Sequence, residues 1–262
     1  IGRRERANEQ GMDSKREDEM RDGRRVDAHA VTVERPRAII RLWRAHTIYV
    51  VALAAFAILA IFAYLDPYFG WDLKIANAFN WTTFTPPGLF QLMLFTSIFG
   101  NSWTPYALTA LTVIIFLLFR RRSEAAALTF CAGGSGLINT LFKHLVARPR
   151  PAHDLIQSYT DPLTNSFPSG HVTFYVCYFG FLFFVSYALL PRGSLLRRLA
   201  LTLTALPVLL VGLSRIYLGA HWPSDTIGAY LWSGVWLSLS LALYRRWKEH
   251  RTFYRKAVGS GQ

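Results

Sequence analysis

Cysteine, methionine and acidic residues are scarce in this 262-residue sequence, which holds 2 Cys, 3 Met and 16 Asp+Glu. Cys131 and Cys177 lie inside apolar runs, and neither has a second thiol or a histidine at metal-ligand spacing. A disulfide framework and a zinc site are therefore excluded, and both read as helix-packing residues. Asp66, Asp72, Asp154, Asp161 and Asp225 are scattered along the chain and form no cluster suited to Mg2+ or Ca2+. Charged residues of both signs make up only 17%, although 29 Lys+Arg give a net charge of +13. No short apolar run with a small-residue cleavage site lies near the N-terminus, so the first apolar segment reads as a retained anchor.

What is abundant is apolar: 52% of residues are hydrophobic and 15% aromatic. Runs that reach or approach the roughly 20 residues needed to cross a ~30 Å hydrocarbon core place the chain among polytopic membrane proteins. They cover 46–65, 103–119, 125–142, 171–190, 199–217 and 227–244. The expected fold is all-α, a polytopic membrane helix bundle with six transmembrane helices. Leu89–Phe99 is apolar but short, bounded by Pro86-Pro87-Gly88 and Gly100-Asn101, and reads as interfacial or re-entrant. Residues 1–44 have the composition of a disordered basic tail, 45–245 form the membrane domain, and 246–262 are a second basic tail. Interleaved acids such as Glu17, Asp18 and Glu19 argue against a nucleic-acid arm, and residues 1–11, which precede Met12, carry no functional argument.

Charge orients the bundle. With the N-terminus in the cytoplasm, that side holds twelve Lys+Arg before the first span, Arg120–Arg122, Arg192, Arg197 and Arg198, and six after Tyr244. The other side keeps only Lys74, Lys143, Arg148, Arg150 and Arg215, the asymmetry expected of cytoplasmic loops. The parity holds only if Leu89–Phe99 does not cross.

Three polar stretches fall on the non-cytoplasmic side. Lys143 to Pro151 ends the third span, where cations suit the helix dipole and also snorkel. Pro168-Ser169-Gly170-His171 opens the fourth; its unpaired N–H groups form an anion site, to which the Ser169 hydroxyl adds a donor, and Gly170 permits close approach. Ser214-Arg215 through His221 to Asp225 joins the fifth span to the sixth. A membrane-facing Arg215 is costly unless paired or lining a polar site. Asp225, four residues after His221, can fix its tautomer and leave the other ring nitrogen free to attack. Each stretch alone also reads as an ordinary helix terminus. Together they supply anion binding, a nucleophile with its orienter and an acid, which are the parts of phosphoryl transfer, with no metal.

These residues resemble the type 2 phosphatidic acid phosphatase family, related to vanadium haloperoxidases and bacterial acid phosphatases. Its pattern, K-x6-R-P, P-S-G-H and S-R-x5-H-x3-D, is met in order by Lys143 with Arg150-Pro151, Pro168–His171, and Ser214-Arg215 with His221 and Asp225. The likeness covers about 103–245. It implies His221 as the nucleophile, Asp225 as its partner and His171 as the acid. It implies Lys143, Arg150, Arg215, Ser169 and Gly170 as phosphate ligands. Arg148 falls off the six-residue spacing, and His144 has no family role.

The expected activity is hydrolysis of a lipid phosphate or diphosphate without metal or other cofactor, through a phosphohistidine. Prenyl diphosphate, phosphatidylglycerol phosphate and phosphatidic acid are the leading substrates. A phosphotransferase with a lipid or sugar acceptor is the alternative, and a non-catalytic anion binder is disfavoured by the two histidines. The expected setting is a bacterial inner membrane, with both termini cytoplasmic and the site periplasmic. The partners are the bilayer and its lipid phosphate, not nucleic acid, and the sequence is silent on oligomeric state. Trp103, Trp222 and Tyr217 are expected in an interfacial aromatic belt.

Overall fold

A computed structural model describes residues 46–151, 154–159 and 164–259. The expected tail over 1–44 lies outside these residues. The chain divides into two compact units, Ile1–Val51 and Ala52–Gln262. Residues 46–51 open the first helix, and the site and its supports lie in the second unit.

All regular structure among the described residues is helical, without strands. In chain order the helices are α1 (His46–Leu65), α2 (Gly70–Ala78), α3 (Leu89–Ser97), α4 (Thr104–Leu118), α5 (Arg122–Leu128), α6 (Gly134–Val146), α7 (Gly170–Leu189), α8 (Leu195–Tyr217) and α9 (Pro223–Gly259). A π-turn over Thr129–Gly133 joins α5 to α6, so the third span is continuous from Arg122 to Val146. Five helices are long and apolar enough to cross a membrane. A sixth span exists if Leu89–Gly100 and Thr104–Leu118, bent by 62°, count as one. The expected second span is thus only 15 residues of regular helix, and the short segment read as interfacial or re-entrant is helix α3, set at 62° to it across the break. The break coincides with Gly100-Asn101, where the backbone leaves a 3-10 turn for extended geometry at Asn101. Beyond Tyr244 the backbone of α9 continues as helix to Gly259.

Helix α7 is apolar on every face, the pattern of a helix surrounded by others. It packs on α6, α8 and α9, and Val172, Tyr175, Cys177 and Phe181 are fully buried. Cys131 also lies in that core, with its thiol on the Cys177 carbonyl at 3.6 Å. Trp103 is 80% exposed, as a belt residue would be, but Trp222 and Tyr217 are each 1% exposed and belong to the core. Trp222 stacks on Tyr68 and donates its indole N–H to the Pro149 carbonyl, so its polar edge is satisfied inside the protein.

Candidate active site

The three polar stretches converge because each helix end is turned by a local device. At the end of α6, Ala147 adopts a left-handed conformation (φ 49°) and its N–H bonds the Lys143 carbonyl, which ends the helix and turns the chain just before Arg148 and Arg150. At the end of α8, Gly219 (φ 68°) reverses the chain. A Cβ there would lie 2.4 Å from the Gln157 carbonyl oxygen, so only glycine fits. The turn returns the His221 N–H to the Arg215 carbonyl at 3.3 Å, and the spacing between Arg215 and His221 is the length of this turn. Ser169 is the N-cap of α7, and its N–H bonds the Asp225 carbonyl at 3.2 Å, tying the starts of α7 and α9 together.

His221 is 1% exposed. Its Nε2 faces an Arg150 guanidinium nitrogen at 3.2 Å, and its Nδ1 faces Asp225 Oδ2 at 3.3 Å. Arginine can only donate, so Nε2 carries the lone pair and Nδ1 the hydrogen, which points at the carboxylate. Burial, followed by the positive charges of Arg150, Lys143 and Arg215, holds the His221 pKa well below its usual 6.5. The unliganded ring is therefore a neutral imidazole with its nucleophilic nitrogen toward the cations. Burial also lowers the Arg150 pKa to about 10, opposed by Asp225, and the group stays charged near neutrality. Arg150 donates further to the Thr164 and Ala220 carbonyls at 2.7 Å and to Thr164 Oγ1 at 3.0 Å.

Asp225 bonds more than the His221 ring. Its Oδ2 accepts the Trp222 N–H at 2.9 Å, the reach-back bond of a helix N-terminus, and also the Ser166 hydroxyl. Its Oδ1 accepts from Arg148 at 2.7 Å. Arg148, given no role by spacing, is 1% exposed and fully engaged: it donates to the Pro67 carbonyl at 3.0 Å, to Ser224 Oγ at 2.7 Å and to Asp72 Oδ2 at 2.8 Å. Its guanidinium lies over the Phe69 ring at 4.8 Å. Asp72 in turn accepts the Ser224 N–H at 2.9 Å, capping α9 from another helix. The acids that look scattered in sequence are thus not all apart, since Asp72 and Asp225 grip one arginine. Buried charges are tolerated only when paired in this way.

One cavity of about 840 Å3 collects Lys143, Arg150, Gly170, His171, Arg215 and His221 along its lining. No carboxylate lines it among the described residues. The Lys143 ammonium bonds the Asn165 carbonyl, and Arg215 bonds Ser97 Oγ while its buried Nε has no partner among the described residues. The space over Gly170 is bordered by Asn139 Nδ2 and Lys143 Cε, 3.5 and 3.9 Å from where a Cβ would stand. Ser169 is buried with its hydroxyl unpartnered among the described residues, and it does not line the cavity. His171 donates Nε2–H to Asn101 Oδ1 at 2.8 Å.

The supports that spacing does not reveal are Asp72, Ser97, Asn101, Asn139, Arg148 and Ser166. Only Arg148 carries a local signal, as one of two arginines flanking Pro149 beside a span.

A profile of the PAP2 superfamily matches residues 124–249. Undecaprenyl-diphosphatase of Sulfolobus acidocaldarius is 26% identical over 196 residues, which cover 72% of this chain and 87% of that protein. Decaprenylphosphoryl-5-phosphoribose phosphatase of Mycobacterium tuberculosis is 37% identical over 145 residues, which cover 53% of this chain and 71% of that one. Among solved structures, a transmembrane PAP2-type phosphatidylglycerolphosphate phosphatase from Bacillus subtilis superposes with a TM-score of 0.64 at 23% identity, over 76% of this chain and 96% of that chain, a likeness of fold.

Proposed function

This chain belongs to the PAP2 superfamily, and from that premise we propose that it is a metal-independent phosphatase that removes a phosphoryl group from a membrane lipid phosphate or diphosphate. The single observation that carries the lipid reading is the shape of the cavity. From Lys143 and Arg215 it extends between α4 and the third span, past Thr140, Gly136, Gly133 and Thr129 on one wall and Thr109, Ala110 and Val113 on the other. From Lys143 to Thr129 is roughly 20 Å along the helix axis, far more than a free phosphate ester needs and enough for a length of acyl or prenyl chain.

In this reading the substrate phosphate draws Arg150 away from His221 and frees Nε2. Nε2 attacks phosphorus, the bond from phosphorus to the leaving oxygen breaks, and its electron pair leaves with that oxygen, which takes a proton from His171. The Nδ1 hydrogen stays with the ring, oriented by Asp225. Lys143, Arg150, Arg215 and the first N–H groups of α7 stabilise the charge on the equatorial oxygens. Water then attacks the phosphohistidine, gives its proton to His171, and phosphate departs. Relatives named for prenyl diphosphate, decaprenylphosphoryl and phosphatidylglycerolphosphate substrates support a lipid headgroup, and the concentration of Lys and Arg in the termini and in the loops after the second and fourth expected spans supports a site on the outer face.

The test is phosphate release from undecaprenyl diphosphate, phosphatidylglycerol phosphate and phosphatidic acid by the protein in detergent. At least one lipid should be hydrolysed in the presence of chelator, with label trapped on the protein and lost in His221→Ala. Near-wild-type release by His221→Ala, or abolition by chelator, rejects the proposal.

A further inference from the structure

The break between α3 and α4 touches the site at one point. His171 lies with its Cδ2–Nε2 edge against Gly100: a Cβ there would be 2.2 Å from Cδ2, 2.7 Å from Cγ and 2.9 Å from Nε2. The next residue, Asn101, accepts the Nε2 hydrogen at 2.8 Å, and both Asn101 and Gly100 line the same cavity as His171. Helix α3, just before the break, is itself anchored to the site. Its Met93 carbonyl accepts the Ser214 hydroxyl at 2.6 Å, Ser97 accepts from Arg215, and the Thr96 carbonyl accepts the Tyr175 hydroxyl. The chain leading to Asn101 is therefore tied to Arg215 of the proposed phosphate clamp and to its neighbour Ser214.

We propose that Asn101 is the positioning residue for the His171 acid, and that the bend at Gly100-Asn101 exists to present its side-chain carbonyl to the ring. The inference rests on the reading of His171 as general acid. A carbonyl oxygen can only accept, so Nε2 keeps its hydrogen whether the ring is neutral or protonated. The exchangeable proton is then the one on Nδ1, on the ring edge turned away from Gly100. In the first half-reaction it passes from Nδ1–H to the leaving oxygen as the phosphorus–oxygen bond breaks. In the second, the Nδ1 lone pair takes a proton from the attacking water. Asn101 stands to His171 as Asp225 stands to His221, each fixing one nitrogen so that the other does the chemistry. An amide suits the acid, because a neutral acceptor orients the ring without placing an anion among the phosphate ligands.

A loss of protonation is felt in proportion to how poor the leaving group is, so the test compares decyl phosphate with p-nitrophenyl phosphate, whose leaving group needs no proton. Asn101→Ala should lower kcat/KM for decyl phosphate, which reports phosphoryl transfer to His221, about 10- to 100-fold, a part of what a positioned acid contributes. kcat/KM for p-nitrophenyl phosphate should fall by no more than about threefold, whereas kcat for both substrates includes hydrolysis of the shared phosphohistidine and should fall alike. Asn101→Asp keeps the acceptor and should restore the ratio of the two kcat/KM values, with KM for both raised by the added charge. Gly100→Ala, which displaces the ring without removing the amide, should copy Asn101→Ala. Equal losses of kcat/KM on both substrates, or an Asn101→Asp variant with that ratio as low as in Asn101→Ala, overturn the proposal in favour of a structural role. His171→Ala is the control. If it shows no dependence on the leaving group, the acid reading itself fails and Asn101 falls with it, whereas a dependence in His171→Ala that is absent from Asn101→Ala rejects Asn101 alone.

Discussion

Replacing Arg148 by methionine would leave Asp72 and Asp225, both 0% exposed, facing each other with no cation between them. Breaking a buried pair from one side costs about 3–5 kcal/mol, so Arg148→Met should unfold at clearly lower temperature in detergent and lose activity as well. Arg150→Met should separate these effects. Its bonds are to neutral acceptors near the cavity, so about 1 kcal/mol of stability should go, while phosphate release collapses. The comparison of unfolding midpoint with turnover in the two variants checks both statements. His221 adds a pH term. Its folded pKa lies below 6.5, so above pH 6.5 folded and unfolded states are both neutral and the term vanishes. As pH falls below 6.5 the unfolded chain takes up a proton before the folded one does, and stability is lost until the folded pKa is reached. Wild type should therefore lose more thermal stability between pH 7.5 and 5.5 than His221→Gln. At this scale the sequence is eloquent about His221 and Asp225, because four residues at a helix start fix their mutual distance. It does not reveal the partner of Arg148, because Asp72 lies 76 residues away.

Helix termini explain why short motifs here carry geometry. The turn at Ala147 uses a left-handed conformation that costs an L-residue energy and glycine none. Ala147→Gly should leave activity intact and change stability by between zero and about +1 kcal/mol, the strain relief being partly offset by a freer unfolded chain. An unfolding titration decides this, and a clear destabilisation would mean that the Ala147 methyl matters more than its backbone. The third span presents Gly133 and Gly136 to the cavity, and a Cβ at either would meet nothing within 4 Å. Gly136→Leu should fold normally, lower kcat/KM for a long-chain lipid phosphate at least about tenfold, and spare p-nitrophenyl phosphate. The break at Gly100-Asn101 was visible in the sequence as a boundary, since an apolar run stops there. That the two helices meet there at 62° was not, because hydropathy counts length and not direction.

For the whole molecule, α7 crosses between two loops, so Arg192 and Tyr159 should be reached from opposite faces of the bilayer. With basic loops inward, Arg192→Cys should react with an impermeant thiol reagent only from the cytoplasmic side and Tyr159→Cys only from outside; both positions are exposed, and the native Cys131 and Cys177 are buried. The reverse pattern would invert the topology and move the site to the cytoplasm.

Composition, run length and charge asymmetry determine that the chain is a helical membrane protein, and three ordered motifs single out the residues proposed to handle phosphate. These are local properties: the bilayer sets a length, a helix turn sets a spacing, and both are written in consecutive residues. Only the tertiary structure decides how the site is held. Asp72 caps α9 across 152 residues of sequence, Arg148 joins two carboxylates, and Asn101 meets His171 across 70. A buried polar group needs a partner somewhere, but chain packing alone selects which one it finds.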